Sequence, residues 1–209
     1  EPAAWTRRQA EFLRENLGSD TAVSGVKWLP ALAGVDFAVA TADGHLARTR
    51  GWRFIEGRAL DEMDVRQGLR HAMASAELCR RNRWRTGDLV PLGNEPFRLV
   101  GCFDAGGDPA LGAAQDAVFI PYTADALEMR GEEASARVDA LLFRAGEGTS
   151  PETLKRRVAA LLEQPGLGTE GIEWITPESL LQGIRRWQRA IGWTAGAGGA
   201  LGLLLGAVT

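Results

Sequence analysis

The chain is short of the residues that build metal sites and activated nucleophiles. Its 209 residues include only two cysteines and two histidines. Cys79, Cys102, His45 and His71 do not have zinc-finger spacing, which excludes a four-ligand Cys/His zinc site. Lysine is nearly missing: of 24 basic residues only Lys27 and Lys155 are lysine. Against 27 acidic residues the formal charge is −3, so the basic surplus of a general nucleic-acid binder is absent. There is no G-x-x-x-x-G-K-[ST], which excludes nucleotide binding by a P-loop. No G-x-S-x-G or H-E-x-x-H occurs. The sequence therefore predicts no catalytic residue, no cofactor, no metal and no enzymatic turnover.

What is present is an ordinary globular composition, 45% hydrophobic and 24% charged, with one exception. The run from Ala190 to Thr209 carries no charge and reaches the length of about 20 residues that a bilayer span needs. Gly198, Gly202 and Gly206 recur every fourth residue in it. On a helix they share one face and admit a second helix closely. The chain begins at Glu1 with no charged-then-apolar leader behind it. The expectation is a piece of a larger membrane protein. A buried glycine-rich core helix is the alternative.

Upstream, the pattern alternates helices and strands. Trp5, Ala10, Phe12, Leu13 and Leu17 roughly hold one helix face, which Gly18 ends. Residues 21–29 and 35–42 read as strands. Residues 45–60 read as a short helix and a tight glycine turn, and 69–84 (LRHAMASAELCRRNRW) as one helix. Two apolar runs, 89–92 and 97–103, flank Gly93-Asn94-Glu95-Pro96 as a hairpin. DAVFIPY is a strand, TADALEMRG a short helix and ARVDALLFRA a strand. SPETLKRRVAALLEQ opens with a strong cap, Ser150 then Pro151. IEWITP is the last strand. From Pro177-Glu178 a long helix carries Leu180, Leu181, Ile184 and Trp187 at 3- and 4-residue spacing.

This is an α+β chain. The return unit around 150–176 is βαβ-like and can pair with the opening, leaving the β-rich middle as an insertion. The division is 1–52 and 123–177 for a split βαβ-type lobe and 53–122 for the inserted β-rich lobe. A stalk helix, 178–189, and the start of a transmembrane helix, 190–209, follow.

Three clusters bear on chemistry. His45 and His71 read as surface or packing histidines, since no nucleophile motif accompanies them. The acids Glu56, Asp61, Glu62 and Asp64 suggest a cation site, but lack the Asp-x-Asp-x-Asp-Gly loop; a solvated turn capping the next helix is the better reading. Cys79 and Cys102 are either a disulfide or two buried free thiols, a choice that geometry decides.

Taken in order, GWRFIEGRALDEMD, the helix with Leu78-Cys79-Arg80-Arg81, GDLVPLGNEPFRLVGCF and QDAVFIPY resemble the periplasmic core domain of MacB-type ABC transporter permeases, within the FtsX-like permease group. Glu56-Gly57-Arg58 with Asp61 and Asp64 matches that family's glycine-arginine stretch before an acidic turn, with Leu60 in place of its aromatic. Phe97 to Cys102 and Asp116 to Pro121 match its next two strands, and the resemblance runs from about Leu46 to Val208. Two features depart from it. GLRHAMAS stands where a valine-rich strand is usual, and Cys79 and Cys102 replace small or branched residues.

The resemblance implies a non-enzymatic permease domain on the periplasmic side of a bacterial inner membrane. It would couple a cytoplasmic P-loop ATPase to transport or extraction of a substrate. The partners implied are that ATPase, a second permease copy, a periplasmic adaptor or substrate protein, and membrane lipid, with no nucleic acid. Arg185, Arg186 and Arg189, just before the apolar run, would by charge distribution favour the cytoplasmic side instead. The alternatives are an FtsX-like anchored regulator that activates a partner hydrolase, and a soluble α+β enzyme.

Overall fold

The computed structural model describes residues 5–106, 116–124 and 137–163. They form β1 (Trp5–Thr6), α1 (Arg7–Leu17), β2 (Ala22–Trp28), β3 (Ala38–Ala42), α2 (Leu46–Arg50), β4 (Arg53–Gly57), α3 (Glu62–Arg66), β5 (His71–Ser75), α4 (Ala76–Asn82), β6 (Leu89–Leu92), β7 (Glu95–Asp104), β8 (Ala117–Pro121), β9 (Arg137–Val138), β10 (Ala140–Arg144) and α5 (Pro151–Leu162). The main sheet runs β10-β2-β3-β8-β5-β7-β4, with β6 also on β7. The β3–β8 and β5–β7 pairs are parallel, and the other pairs of this sheet are antiparallel. The architecture is α+β, as the sequence predicts.

Helix ends follow local chemistry. Thr6 and Gln9 form a reciprocal cap on α1: Gln9 N donates to Thr6 Oγ1 at 3.2 Å and Thr6 N to Gln9 Oε1 at 2.7 Å. α1 buries Ala10, Leu13 and Leu17 and stops at Gly18. α5 starts at Ser150, whose hydroxyl accepts from Thr153 N at 3.2 Å, and buries Leu154, Val158 and Leu162 at four-residue spacing.

The sheet separates two apolar layers. On one face Ala72, Ala74, Val90, Phe97, Leu99, Cys102, Val118 and Ile120 pack with Leu78 and Cys79 of α4. On the other, Met73, Val100, Phe103, Ala117 and Phe119 pack with Leu46, Trp52 and Leu60. The second layer is aromatic: Trp52 stacks on Phe103 at 4.1 Å between centroids, and Phe119 lies 5.2 Å from Trp52 and 5.8 Å from both Phe103 and Trp28.

Four readings of the sequence need correction. Trp5, read on the face of the first helix, lies in β1, before α1 begins. Residues 53–57, read as part of a short helix and glycine turn, form β4, paired with β7. Residues 69–84 are not one helix. His71–Ser75 form β5, between β8 and β7, and only Ala76–Asn82 are helical. Alanine favours helix, but Ala72, Met73 and Ala74 are fully buried on both faces of a sheet, and that burial overrides propensity. Ser75 keeps an extended backbone and caps α4, its hydroxyl accepting from Leu78 N at 3.3 Å. The strand expected over ARVDALLFRA is also split. At Asp139 the chain leaves its partner β1 for β2; Asp139 N donates to Val26 O at 2.9 Å and its carboxylate accepts from Trp28 N at 2.8 Å. Of the helix predicted over TADALEMRG only Thr123 and Ala124 are described, and they are not helical; its remainder and the IEWITP strand lie outside the described residues.

Phe119→Ala removes the ring shared by three aromatic contacts in a buried layer. It should lower unfolding free energy by about 3–5 kcal/mol in a denaturant titration. A loss under about 1 kcal/mol would mean the layer repacks.

Candidate functional site

Two buried carboxylates organise the polar interior. Asp43 ends β3 and is 7% exposed. Its Oδ1 accepts from Ser24 Oγ at 2.7 Å and His45 N at 3.0 Å. Its Oδ2 accepts from Arg14 Nη2 at 2.8 Å and Gly25 N at 3.1 Å. One side chain thus ties α1, β2 and the turn into α2. Beside it lies a cleft of about 40 Å³ lined by Arg7, Glu11, Arg14, Asp43, Glu62 and Tyr122, room for water rather than for an organic ligand. The Arg7 guanidinium sits 3.5 Å over the Tyr122 ring and donates to Thr41 Oγ1 at 3.1 Å. Burial lowers it to about 10, so it stays charged at neutral pH, and burial also raises the Tyr122 phenol.

The second carboxylate is Asp64, on α3. Arg58 grips it with both nitrogens, Nη1 to Oδ2 at 2.6 Å and Nη2 to Oδ1 at 2.9 Å. Asp61 N donates to Oδ2 at 2.9 Å, and His71 Nδ1 lies 2.7 Å from Oδ1. Burial alone would raise the Asp64 carboxyl. The hydrogen bonds from Arg58, His71 and Asp61 outweigh it and hold the group at about 2. An ionised carboxylate only accepts, so His71 is the donor. The same contact raises Arg58 further.

The four acids read as a candidate cation cluster therefore go separate ways. Glu56 accepts from Thr86 N at 3.0 Å, Glu62 pairs with His45 Nε2 at 2.8 Å, and Asp61 caps α3 through Met63 N and Asp64 N. The expected cap is there, but Asp64 is not solvated: its side chain is 1% exposed. Among the described residues no group of three or more His, Cys, Asp or Glu could hold a metal ion. The sequence named Arg58 and Asp64 but missed Asp43 and Arg7. An acidic residue at the end of an apolar strand, three residues from the Leu46 helix, was the signal available.

Cys79 and Cys102 are joined in a disulfide, with Cα atoms 6.4 Å apart. A local irregularity permits it. Against β5, Ala72 pairs with Leu99 but Met73 with Gly101, so Val100 is an extra residue in β7. The bulge moves Cys102 to the Leu99 face and Phe103 to the Val100 face. Gly57 and Gly101 pair beside it. A Cβ on Gly57 would collide with Val100 O and one on Gly101 with Arg58 O, so only glycines let the strands approach this closely. Arg58 N donates to Val100 O at 2.9 Å, which fixes the start of the Arg58–Asp64 clamp. Leu180, Leu181, Ile184, Trp187, Gly198, Gly202 and Gly206 lie outside the described residues. Among those described, no helix is long and apolar enough to cross a membrane.

Asp64 makes a pH prediction. Its carboxyl is held below the usual aspartate range in the folded state, so the unfolded chain binds more protons in acid. The stabilisation is complete above about pH 5 and is lost as pH falls from about 4 to 2. Asp64→Asn should cost about 3 kcal/mol at pH 7, because it leaves Arg58 without its carboxylate. It should also flatten this acid limb by about 2 kcal/mol in denaturant titrations across pH. An unchanged limb would mean Asp64 is not the titrating group.

Comparison with known proteins agrees with this arrangement of strands. No curated protein matches the chain in sequence. Among solved structures, the periplasmic region of MacB from Actinobacillus actinomycetemcomitans superposes with a TM-score of 0.66 at 14% identity, covering 87% of this chain and 83% of that one. The extracellular domain of the noncanonic ABC-type transporter YknZ from Gram-positive bacteria gives 0.54 at 16%, covering 78% and 84%. At these identities the likeness is one of fold. The sequence profile of the MacB-like periplasmic core domain matches residues 2–161, most of the chain and all but the last two of its described residues. The chain therefore belongs to the MacB-like periplasmic core domain family, the periplasmic domain of MacB/FtsX-like ABC transporter permeases.

Proposed function

We propose that this domain transmits force. It takes work done by a cytoplasmic P-loop ATPase and delivers it to a substrate on the outer side of the bacterial inner membrane. The observation that supports the reading is how the two ends of the described domain are clasped. β1 pairs with β9, β2 with β10, and α1 packs on α5, where Arg157 Nη2 donates to Leu17 O at 2.8 Å. A displacement entering by the first helix reaches the last without crossing a loose joint. In this reading the lobe division falls at the parallel β3–β8 pair of one continuous sheet, with β10, β2 and β3 on one side and β8, β5, β7 and β4 on the other.

In this reading residues 178–189 are the stiff stalk and 190–209 the beginning of a membrane span, packed through Gly198, Gly202 and Gly206. A second permease copy and a periplasmic adaptor or substrate protein complete the assembly. A continuous helix rises about 1.5 Å per residue and passes displacement on without absorbing it. Ile184→Pro should cost about 3 kcal/mol of helix. In the assembled transporter it should leave ATP binding intact and abolish transport, whereas Gly183→Ala should be neutral or better. Normal transport by Ile184→Pro, in protein shown to be inserted and folded, would make the segment a tether only. The domain alone should show no saturable nucleotide binding in titration calorimetry; micromolar ATP affinity would overturn the non-enzymatic reading.

A further inference from the structure

We propose that Cys79 and Cys102 are an oxidative modification site that locks the register of β7, closed by an external disulfide donor while the chain is still folding. The proposal rests on the extracytoplasmic placement above, because disulfides persist in oxidising compartments.

Regular alternation through β7 puts residues 97, 99, 101 and 103 on one face and Cys102 on the other. The extra residue at Val100 reverses this, and Cys102 joins Leu99 on the face that α4 covers with Cys79. Without the bulge Cys102 would face the Trp52 layer, with the sheet between it and Cys79. Phe103 would leave its stack on Trp52 for the opposite face. The two registers differ by one residue, and Arg58 N bonding Val100 O and Phe103 stacking on Trp52 already favour the bulged one. The disulfide discriminates fully, since only the bulged register brings the two sulfurs together.

The chemistry needs a partner. Two thiols give up two protons and two electrons. The new S–S bond forms as the donor's S–S bond breaks, through a mixed disulfide, and the two protons and two electrons leave on the donor sulfurs, as a dithiol protein or as two small-molecule thiols. In the folded domain Cys79 is 6% and Cys102 4% exposed, which leaves neither sulfur open to an incoming disulfide. The donor therefore acts before α4 settles on the sheet. Its class is a thiol–disulfide exchange protein or a small-molecule disulfide in the compartment where the domain folds.

The test uses the full chain, exported and purified without reductant. After denaturation, alkylation with a maleimide polymer should find no reactive thiol. Oxidised chain and chain refolded and held in a phosphine reductant are then compared by amide hydrogen exchange. Exchange in 53–57 and 101–104 should be at least about tenfold faster in the reduced chain, with β2 and β3 unchanged. Oxidised glutathione should close the bond at least about 100-fold more slowly in the folded reduced chain than in the unfolded one. The C79A/C102A double variant should reproduce the reduced exchange pattern. Reduced wild type makes the same comparison with no substitution, should the variant not fold. Two free thiols in exported chain would overturn the proposal and leave the extracytoplasmic placement standing. Equal exchange in the two redox states would overturn the register lock. Equal rates of closure in folded and unfolded chain would overturn the order of events.

Discussion

One extra residue in one strand sets most of this domain. β7 carries Val100 where β5 has nothing opposite it. The strand bends and twists there, and every side chain beyond it changes face. Phe103 then reaches Trp52, Cys102 reaches Cys79, and the Val100 carbonyl turns to accept from Arg58 N. Gly57 and Gly101 lie side by side because no larger residue fits that approach. Take the bulge away and the aromatic layer, the covalent link and the arginine clamp lose their geometry together. They are one feature seen from three sides.

The buried carboxylates show the opposite economy: many donors converge on one acceptor. Asp43 accepts from four groups, and Asp64 accepts four hydrogen bonds from three, two of them from the Arg58 guanidinium. An ion taken out of water costs several kcal/mol unless its lone pairs are filled, and both are filled by groups from separate segments. Each cluster therefore holds a tertiary junction more by the penalty for leaving than by net attraction. Asp43 does this where α1 crosses β2. Asp64 does it where the Arg58 turn meets β5.

Sequence patterning revealed the parts whose cause is local. α1 and α5 were legible because capping residues and four-residue apolar spacing lie within a dozen residues of each other. The 89–103 hairpin was legible from its turn. β5 was not: HAMAS is alanine-rich, and only its neighbours in the sheet make it a strand. The bulge left no mark either, since Leu99-Val100-Gly101-Cys102 reads as regular apolar strand, and for that reason the state of the cysteines stayed open. Asp64 looked like a surface charge because its donors come from Arg58 and His71, which nothing in the local pattern aims at it. The family's motifs did locate that acidic turn, as an arrangement without its reason.

The sheet's outer edge has a further consequence. Among the described residues β4 is its last strand, and the pairing of β4 with β7 skips Ile55, which is 69% exposed between the charged Arg53 and Glu56. A bent edge with charges on it cannot accept a straight strand from a neighbour. A second copy of the domain is thus opposed from extending the sheet through β4, and the exposed apolar side chain of Ile55 is set at a kink rather than on a straight edge.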